Sequence, residues 1–528
     1  MNHGSHNSIG SFAYVSDTVP HLSAGLSRPV GLLVRRNNVD LRRLTRVAQV
    51  IFAAAVAFEL LTTKTPETFF GFMAVLTAAS IPFFVWLKRG AIQLPILPCA
   101  ALFYVPSYAN AGSLVTAGTY TPSQILVGEL TVALFLGVAA LAWSFFTAEK
   151  GHRTLNRGRR LDVGPNLTKV MFVALVVGMV FEMGARAGWW FWMGTVYGTF
   201  RTVLSSATLI GCFLYGAALG RRALSPVERV WGGTLVVAIF AIETSSLLLY
   251  VSILNAITVF FGYFLFSKKV PWTAITVCLL VATTLHSAKG AMRAKYWANG
   301  AQQTSLSDVP AMMTEWIGNG VDNMIFGAPE DQQNLADRAS MLPNLLLVQQ
   351  SSPELIPFLN GETYANFWKM LVHRFLSPNK ITSQTNLGIL SIHYHLQVIE
   401  DTATTTISWG LVAEAYANYG FFGVVLVGMA FGILFGWLTR WTAGAPVISL
   451  RGFIGLASMI VPITSVAYDF SYMLLNLLQA VAAMIAVSFA FRFLLGGAKR
   501  LRILSRSAVK PHHSSAICNR REAIPTTR

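Results

Sequence analysis

The sequence predicts an all-α membrane protein: a polytopic bundle of about twelve transmembrane helices carrying one large extracytoplasmic loop of short helices. Three observations predict it. The 528 residues are 54% hydrophobic and only 12% charged, with a mean hydropathy of +0.54, far too apolar for a water-soluble chain of this length. The apolar residues fall in runs of about 20, the length a helix needs to cross about 30 Å of hydrocarbon while satisfying its own backbone. The Lys and Arg residues sit in short clusters between those runs, as topological signals do, and form no single basic face.

Taken in order, the residues to about 45 are polar, lack an apolar core with a small-residue cleavage site, and read as a cytoplasmic tail. A first block over 46–288 holds apolar runs near 46–63, 69–87, 94–109, 124–147, 168–185, 202–220, 229–248, 250–267 and 270–288. Residues 289–419 form the loop. Runs near 420–439, 452–468 and 473–496 follow, and a basic tail over 498–528 closes the chain.

The positive-inside rule tests that count. With the N-terminus in the cytoplasm, alternation puts Arg35, Arg36, Arg42 and Arg43 inside, then Lys88 and Arg89, the group from Lys150 to Arg160, Arg221, Arg222 and Arg229, Lys268 and Lys269, Arg440, and Lys499 to Arg502. One helix more or fewer would send half of these clusters outside. The expectation is an inner-membrane protein with both termini cytoplasmic and 289–419 on the outer side.

The net charge of +17 therefore reflects topology, and nucleic acid is not an expected partner. Cys99, Cys212, Cys278 and Cys518 have no CxxC or Cys/His spacing, so neither a disulfide framework nor a metal site is expected. No phosphate-cradling glycine loop stands between a strand and a helix, and no cofactor is expected.

The long loop carries the chemistry-bearing residues. A loop of this length inside a compact protein is usually functional or disordered, and Trp316, Phe326, Phe358, Phe367, Trp368 and Phe375 argue for a folded cap. Its cations, Lys289, Arg293, Lys295, Arg338, Lys369, Arg374 and Lys380, either face water or converge on a phosphate or diphosphate at the membrane surface. Lys289 and Arg293 are four apart on one helix face, and Arg374 and Lys380 flank the end of an aromatic turn at Pro378. Glu414 lies in an apolar run from Trp409 to Gly420 at the mouth of the tenth span. A carboxylate buried there is costly unless it is paired with a cation or used. His393 and His395 lack a third ligand and read as ordinary loop histidines. Glu182 and Arg186, beside Trp189, Trp190 and Trp192, read as a helix ion pair in an aromatic belt.

Arg338-Ala-Ser, the run Pro353 to Tyr364 ending Gly-Glu-Thr-Tyr, the run Val372-His-Arg-Phe-Leu-Ser-Pro-Asn-Lys380, and Gly410-Leu-Val-Ala-Glu-Ala-Tyr-Ala-Asn-Tyr-Gly420 stand in that order. Together they resemble the O-antigen polymerase (oligosaccharide repeat unit polymerase, Wzy-like) family over roughly residues 285–440. His373, Ser377 and Ile381 depart from the family's Pro, Trp and Pro in the middle segment.

The resemblance implies a membrane glycosyltransferase that joins oligosaccharide repeat units carried on undecaprenyl diphosphate, in O-antigen or exopolysaccharide synthesis, alongside a flippase and a chain-length regulator. It implies Glu414, Arg374 and Arg338 as catalytic residues, and Lys289, Arg293, Lys380, Glu362, Tyr364, Tyr416 and Asn418 as substrate-binding residues. Cations would stabilise the departing diphosphate, and Glu414, or else Glu362, would assist the acceptor hydroxyl as base. An O-antigen ligase is the rival on similar substrates. A transporter would instead show charges inside the spans and internal repeats, and a scaffold would leave Arg374 and Glu414 replaceable.

Overall fold

The computed structural model describes residues 30–494 apart from 92, 110–113, 115–117, 149–165, 298–306, 328–339, 373–380, 383 and 404. The described residues are helical, with no strand among them. The helices of the first block are α1 (Val30–Thr62), α2 (Pro66–Lys88), α3 (Ile96–Tyr108), α4 (Pro122–Thr147), α5 (Leu167–Arg186), α6 (Tyr197–Arg221), α7 (Pro226–Thr244), α8 (Leu249–Ser267) and α9 (Trp272–Trp297). Four short helices follow: α10 (Val309–Phe326), α11 (Leu342–Ser351), α12 (Glu362–Leu371) and α13 (Thr385–His393). The last three are α14 (Leu411–Thr442), α15 (Leu450–Thr464) and α16 (Phe470–Leu494).

Every apolar run read from the sequence is a helix. Nine helices among the described residues are long and apolar enough to cross a membrane: α1, α2, α4, α5, α6, α8, α9, α14 and α16. The expected third and eleventh spans are α3, of 13 residues, and α15, of 15, both short of the ordinary spanning length. The expected seventh is α7, of 19 residues, which carries Glu228 and Arg229 in its first turn and Glu243 in its last.

Local chemistry sets several starts. Thr121 and Ser225 each form a capping box, with Gln124 and Glu228, and a proline follows each as the first helical residue. Thr65 and Ser449 accept from the N–H three residues on in the same way.

Packing depends on glycine. Along α14, Gly428, Gly432 and Gly436 recur every four residues against α4. A Cβ at Gly432 would run into Ala139 O, and one at Gly428 would sit 2.8 Å from Phe135 O. Gly216 of α6 and Gly262 of α8 bring those two helices together so closely that a Cβ on either would collide with the other's backbone carbonyls. Small residues at four-residue spacing allow this approach where lipid offers no hydrophobic drive. Around the α4–α14 seam the buried rings of Tyr104, Phe135 and Phe431 pack at centroid separations of 5.6–6.4 Å.

The two ends of the bundle differ. At one end Arg89 donates to Thr147 Oγ1, Lys268 donates to Ala91 O at 3.2 Å, and Trp143 Nε1 reaches Thr439 Oγ1, which brings the C-termini of α2, α4, α8 and α14 together. Burial pushes the Lys268 ammonium, which lies over the Trp86 ring, down to about 8. The opposite end holds α11, α12, α13 and the start of α14. There α11 does not rest on top as a cap but inserts between α4 and α14. Gln349 donates to Thr131 Oγ1 at 2.8 Å, nine residues into α4, and Leu342, Leu345 and Leu346 are fully buried.

Candidate functional site

Glu414 lies one turn into α14, and its position is fixed from both sides. The Gly410 N–H donates to Ala467 O at 3.2 Å, tying the start of α14 to the connection between α15 and α16. Gly410 has φ +81, and a Cβ there would collide with the Tyr108 hydroxyl, so glycine is required. Nine residues on, α14 breaks at Tyr419 and Gly420, where Gly420 adopts φ 59, ψ −146. The break releases the carbonyls of Ala417 and Asn418 from helical pairing. The N–H groups of Leu359 and Asn360 take them up at 3.0 and 3.2 Å, docking the segment before α12 onto α14.

The site is a buried polar cluster at this junction. Glu414 has no exposed surface, its Oε2 accepts from the Phe470 N–H at 2.7 Å, and its Oε1 has no partner. Asp469, also fully buried, accepts at Oδ1 from Asn386 Nδ2 (3.1 Å) and Tyr472 N (2.9 Å), while its Oδ2 has no partner. The Tyr364 hydroxyl is buried without a partner, and its ring stacks on Tyr419 and meets Phe470 edge-on. Burial pushes the Tyr364 phenol well up, and the charges of Glu414 and Asp469 push it further, so it stays a donor. Burial likewise raises the Asp469 carboxyl, against the lowering pull of the Tyr472 and Asn386 donors.

Amides and hydroxyls hold these groups. Asn418 donates to Thr363 Oγ1 and to Glu414 O, each at 2.9 Å, and its Oδ1 accepts the Gly361 N–H at 2.9 Å. Asn386 Nδ2 and Ser471 Oγ both donate to Thr363 O, and Asn366 Nδ2 donates to Asn386 Oδ1. Lys369 Nζ reaches Asn366 Oδ1 at 3.2 Å, which places a cation at the rim.

The unmatched atoms define what the cluster can accept. One phenolic donor and two carboxyl oxygens, all buried, suit a group that both donates and accepts, as an alcohol does. No group of three His, Cys, Asp or Glu able to hold a metal occurs among the described residues.

The structure brings together only part of the set expected from the sequence. Glu414, Tyr364 and Asn418 share the cluster. Tyr416 is nearly buried beside them, edge-on to Phe358 and Phe421. Glu362 starts α12 with its side chain exposed. Arg293 donates to Leu247 O at 2.9 and 3.1 Å and lies over Trp297, and so holds α9 to the α7–α8 turn. Lys289, one turn before it, is half-buried. Arg338, Arg374 and Lys380 lie outside the described residues. The partner of Glu414 is a backbone N–H, where an ion pair was one of the expected alternatives. His393 reaches Pro357 O at 2.8 Å, as an ordinary loop histidine would.

Sequence reasoning missed Asp469 and the supports Thr363, Asn366, Asn386 and Ser471. Asp469 had a signal: it is the one acid in the short connection Ser465-Val-Ala-Tyr-Asp469 between two apolar helices. Two further carboxylates are buried in the bundle. Glu129 of α4 has neither oxygen partnered and lies against Gly71 of α2, and Glu243 of α7 accepts from Asn255 Nδ2 at 2.7 and 2.8 Å.

A family model described as a domain of unknown function (DUF8712) matches residues 203–444. The match begins in α6 and ends just after α14, so it takes in Tyr364, Glu414 and Asn418 and stops short of Asp469. No curated protein matches the chain, and no solved structure does.

Proposed function

We propose that this chain is a membrane glycosyltransferase that polymerises oligosaccharide repeat units carried on undecaprenyl diphosphate. The observation that carries the reading is Glu414: a fully buried carboxylate with one oxygen unmatched, beside a second carboxyl and an unmatched phenol. Burying such a group in an apolar bundle is costly, and use in proton transfer gives it a reason. The resemblance around Gly361-Glu-Thr-Tyr364 and Glu414-Ala-Tyr-Ala-Asn418 supplies the reaction.

In this mechanism the acceptor sugar hydroxyl enters the cluster and gives its proton to Glu414 as its oxygen bonds to the anomeric carbon of the donor. The bond from that carbon to the lipid diphosphate breaks, and the diphosphate leaves with the electron pair. Arg338, Arg374 and Lys380, with Lys289 and Arg293, neutralise the leaving group. Tyr364 orients the hydroxyl, and Asp469 tunes Glu414 as a neighbouring charge. Because Glu414 has no exposed surface, α12 must shift for the acceptor to reach it.

The topology that suits this chemistry has twelve membrane-embedded helices in an inner membrane, with both termini cytoplasmic, α12 and α13 outside, and α11 reaching in from that side between α4 and α14. The gathering of Arg89, Lys268, Arg229 and Arg440 at the end opposite Glu414 supports that orientation. A flippase delivering the donor and a chain-length regulator are the partners this role calls for.

The test is purified protein in lipid nanodiscs, supplied with lipid-linked repeat units from the same cell. Wild type should give a ladder of products and Glu414→Gln single units only; a ladder from Glu414→Gln would overturn the assignment of the base.

A specific observation favours a second reading. Glu129 and Glu243 are carboxylates buried within the bundle, the feature a proton-coupled saccharide transporter would carry. Proton-dependent uptake in vesicles that Glu129→Gln abolishes, with polymer synthesis intact, would select it.

A further inference from the structure

The contacts of α10 place part of the long segment after α9 at membrane depth. The two helices run antiparallel and share a small core of their own, formed by Leu285, Ala288, Met292, Met312 and Trp316 together with Leu247 and Leu249. Their pairing can be followed step by step. Near the start of α10, Glu315 pairs with Lys295 at 2.6 Å and Tyr296 at 2.8 Å. Further along, Asn323 Nδ2 donates to Ser287 O at 2.8 Å, and a Cβ at Gly320 would strike Thr284 O. At the far end, Thr284 Oγ1 approaches Met324 Sδ at 3.0 Å.

α9 is itself long and apolar enough to cross a membrane, and Lys289, Arg293 and Lys295 mark where its apolar stretch ends. Thr284 lies five residues inside Lys289, which is about 7.5 Å of helix rise. Met324 is level with Thr284, so Ile325 and Phe326 reach deeper still. These side chains point away from protein: Phe326 is 84% exposed, Ile325 66% and Ile317 48%. Their surface continues that of α9, where Val277, Leu279, Leu280 and Val281 are each more than half exposed within the spanning stretch. The one formal charge in residues 316–326 is Asp322, next to Asn323 and hence within a turn of the level of Lys289.

We propose that α10 is a re-entrant helix: its C-terminal half lies in the bilayer, with Ile317, Ile325 and Phe326 against lipid acyl chains. The leaflet is the one on the side of Glu414, because Arg293 joins α9 to the α7–α8 turn and the neighbouring Tyr250 hydroxyl pairs with Thr464, at the end of α15 that leads to Asp469. The re-entrant placement of α10 is independent of the reaction at Glu414 and is the same for a polymerase or a transporter.

Site-directed spin labelling of the full chain in nanodiscs tests it. The background has Cys99, Cys212, Cys278 and Cys518 replaced, and nitroxides are placed at residues 325 and 326, with Val277 as the lipid reference and Ser307 as the water reference. Positions 325 and 326 should match 277, relaxed more by oxygen than by a water-soluble nickel chelate. If they match 307 instead, α10 lies in water and the proposal is wrong. In the native-cysteine background, Phe326→Asp should lower the melting temperature in nanodiscs while Phe326→Leu leaves it unchanged. Equal melting of Phe326→Asp and wild type would also overturn the proposal.

Discussion

Glu414 and Phe470 are joined by a hydrogen bond of 2.7 Å, from the backbone N–H that starts α16 to a carboxylate one turn inside α14. Since Phe470 directly follows Asp469, the same contact sets two buried carboxyls side by side where two long helices begin. Glutamine at 414 keeps an oxygen for the Phe470 N–H, whereas alanine leaves that donor buried and unmatched. Glu414→Gln should therefore melt close to wild type and lose roughly 10²- to 10⁴-fold in turnover, the usual worth of a general base. Glu414→Ala should lose about 1–3 kcal/mol of stability as well. Thermal melts and turnover on the same preparations check both.

Asp469 makes stability depend on pH. Burial raises its native carboxyl above the ordinary range, so the native state favours the protonated form. That contribution is complete below the unfolded carboxylate value and is lost as pH rises through the raised native value, at about 1.4 kcal/mol per pH unit between the two. The melting temperature should fall across that window as pH rises. In Asp469→Asn the fall should be shallower; an unchanged slope in that variant would assign the dependence to another group.

Of the three glycines along the α4–α14 seam, Gly432 leaves the least room, since a side chain there would meet Ala139 O. Backbone cannot yield there as a flexible side chain would. Gly432→Ala should cost about 1–3 kcal/mol through overpacking, read as a lower melting temperature and faster proteolysis.

Gly420 holds φ 59, ψ −146 at the break in α14, a conformation essentially restricted to glycine. Gly420→Ala should cost about 1–3 kcal/mol. It should also loosen the dock that Leu359 and Asn360 make on Ala417 and Asn418. Hydrogen exchange at those two amides should rise more than at the Phe470 amide.

Much of this architecture is legible in the sequence because lipid imposes one rule on every span. Each apolar run became a helix, and the basic clusters around Arg89, Arg229, Lys268 and Arg440 do lie at one end. The short helices are less legible. Leu342-Pro-Asn-Leu-Leu-Leu-Val is a short apolar run inside the long loop, and only packing against Gly128 and Thr131 places it within the bundle. Glu414 stands out because it interrupts an apolar run. Asp469 does not, because an acid before a helix is what capping also calls for. Thr363 and Asn386 carry no chemical signal of their own, since their roles arise from contacts with residues 20 to 108 positions away in sequence. The polymerase resemblance points to Arg338, Arg374 and Lys380 through the order of their motifs in the chain.

The most direct test of the central claim is the length of surface polysaccharide in a strain lacking this protein and complemented with wild type, Glu414→Gln, Asp469→Asn or Arg374→Ala, with membrane insertion of each confirmed. Glu414→Gln and Arg374→Ala should leave single lipid-linked repeat units, Asp469→Asn should give shortened polymer, and wild type should give full-length polymer. Full-length polymer from both Glu414→Gln and Arg374→Ala would contradict that claim.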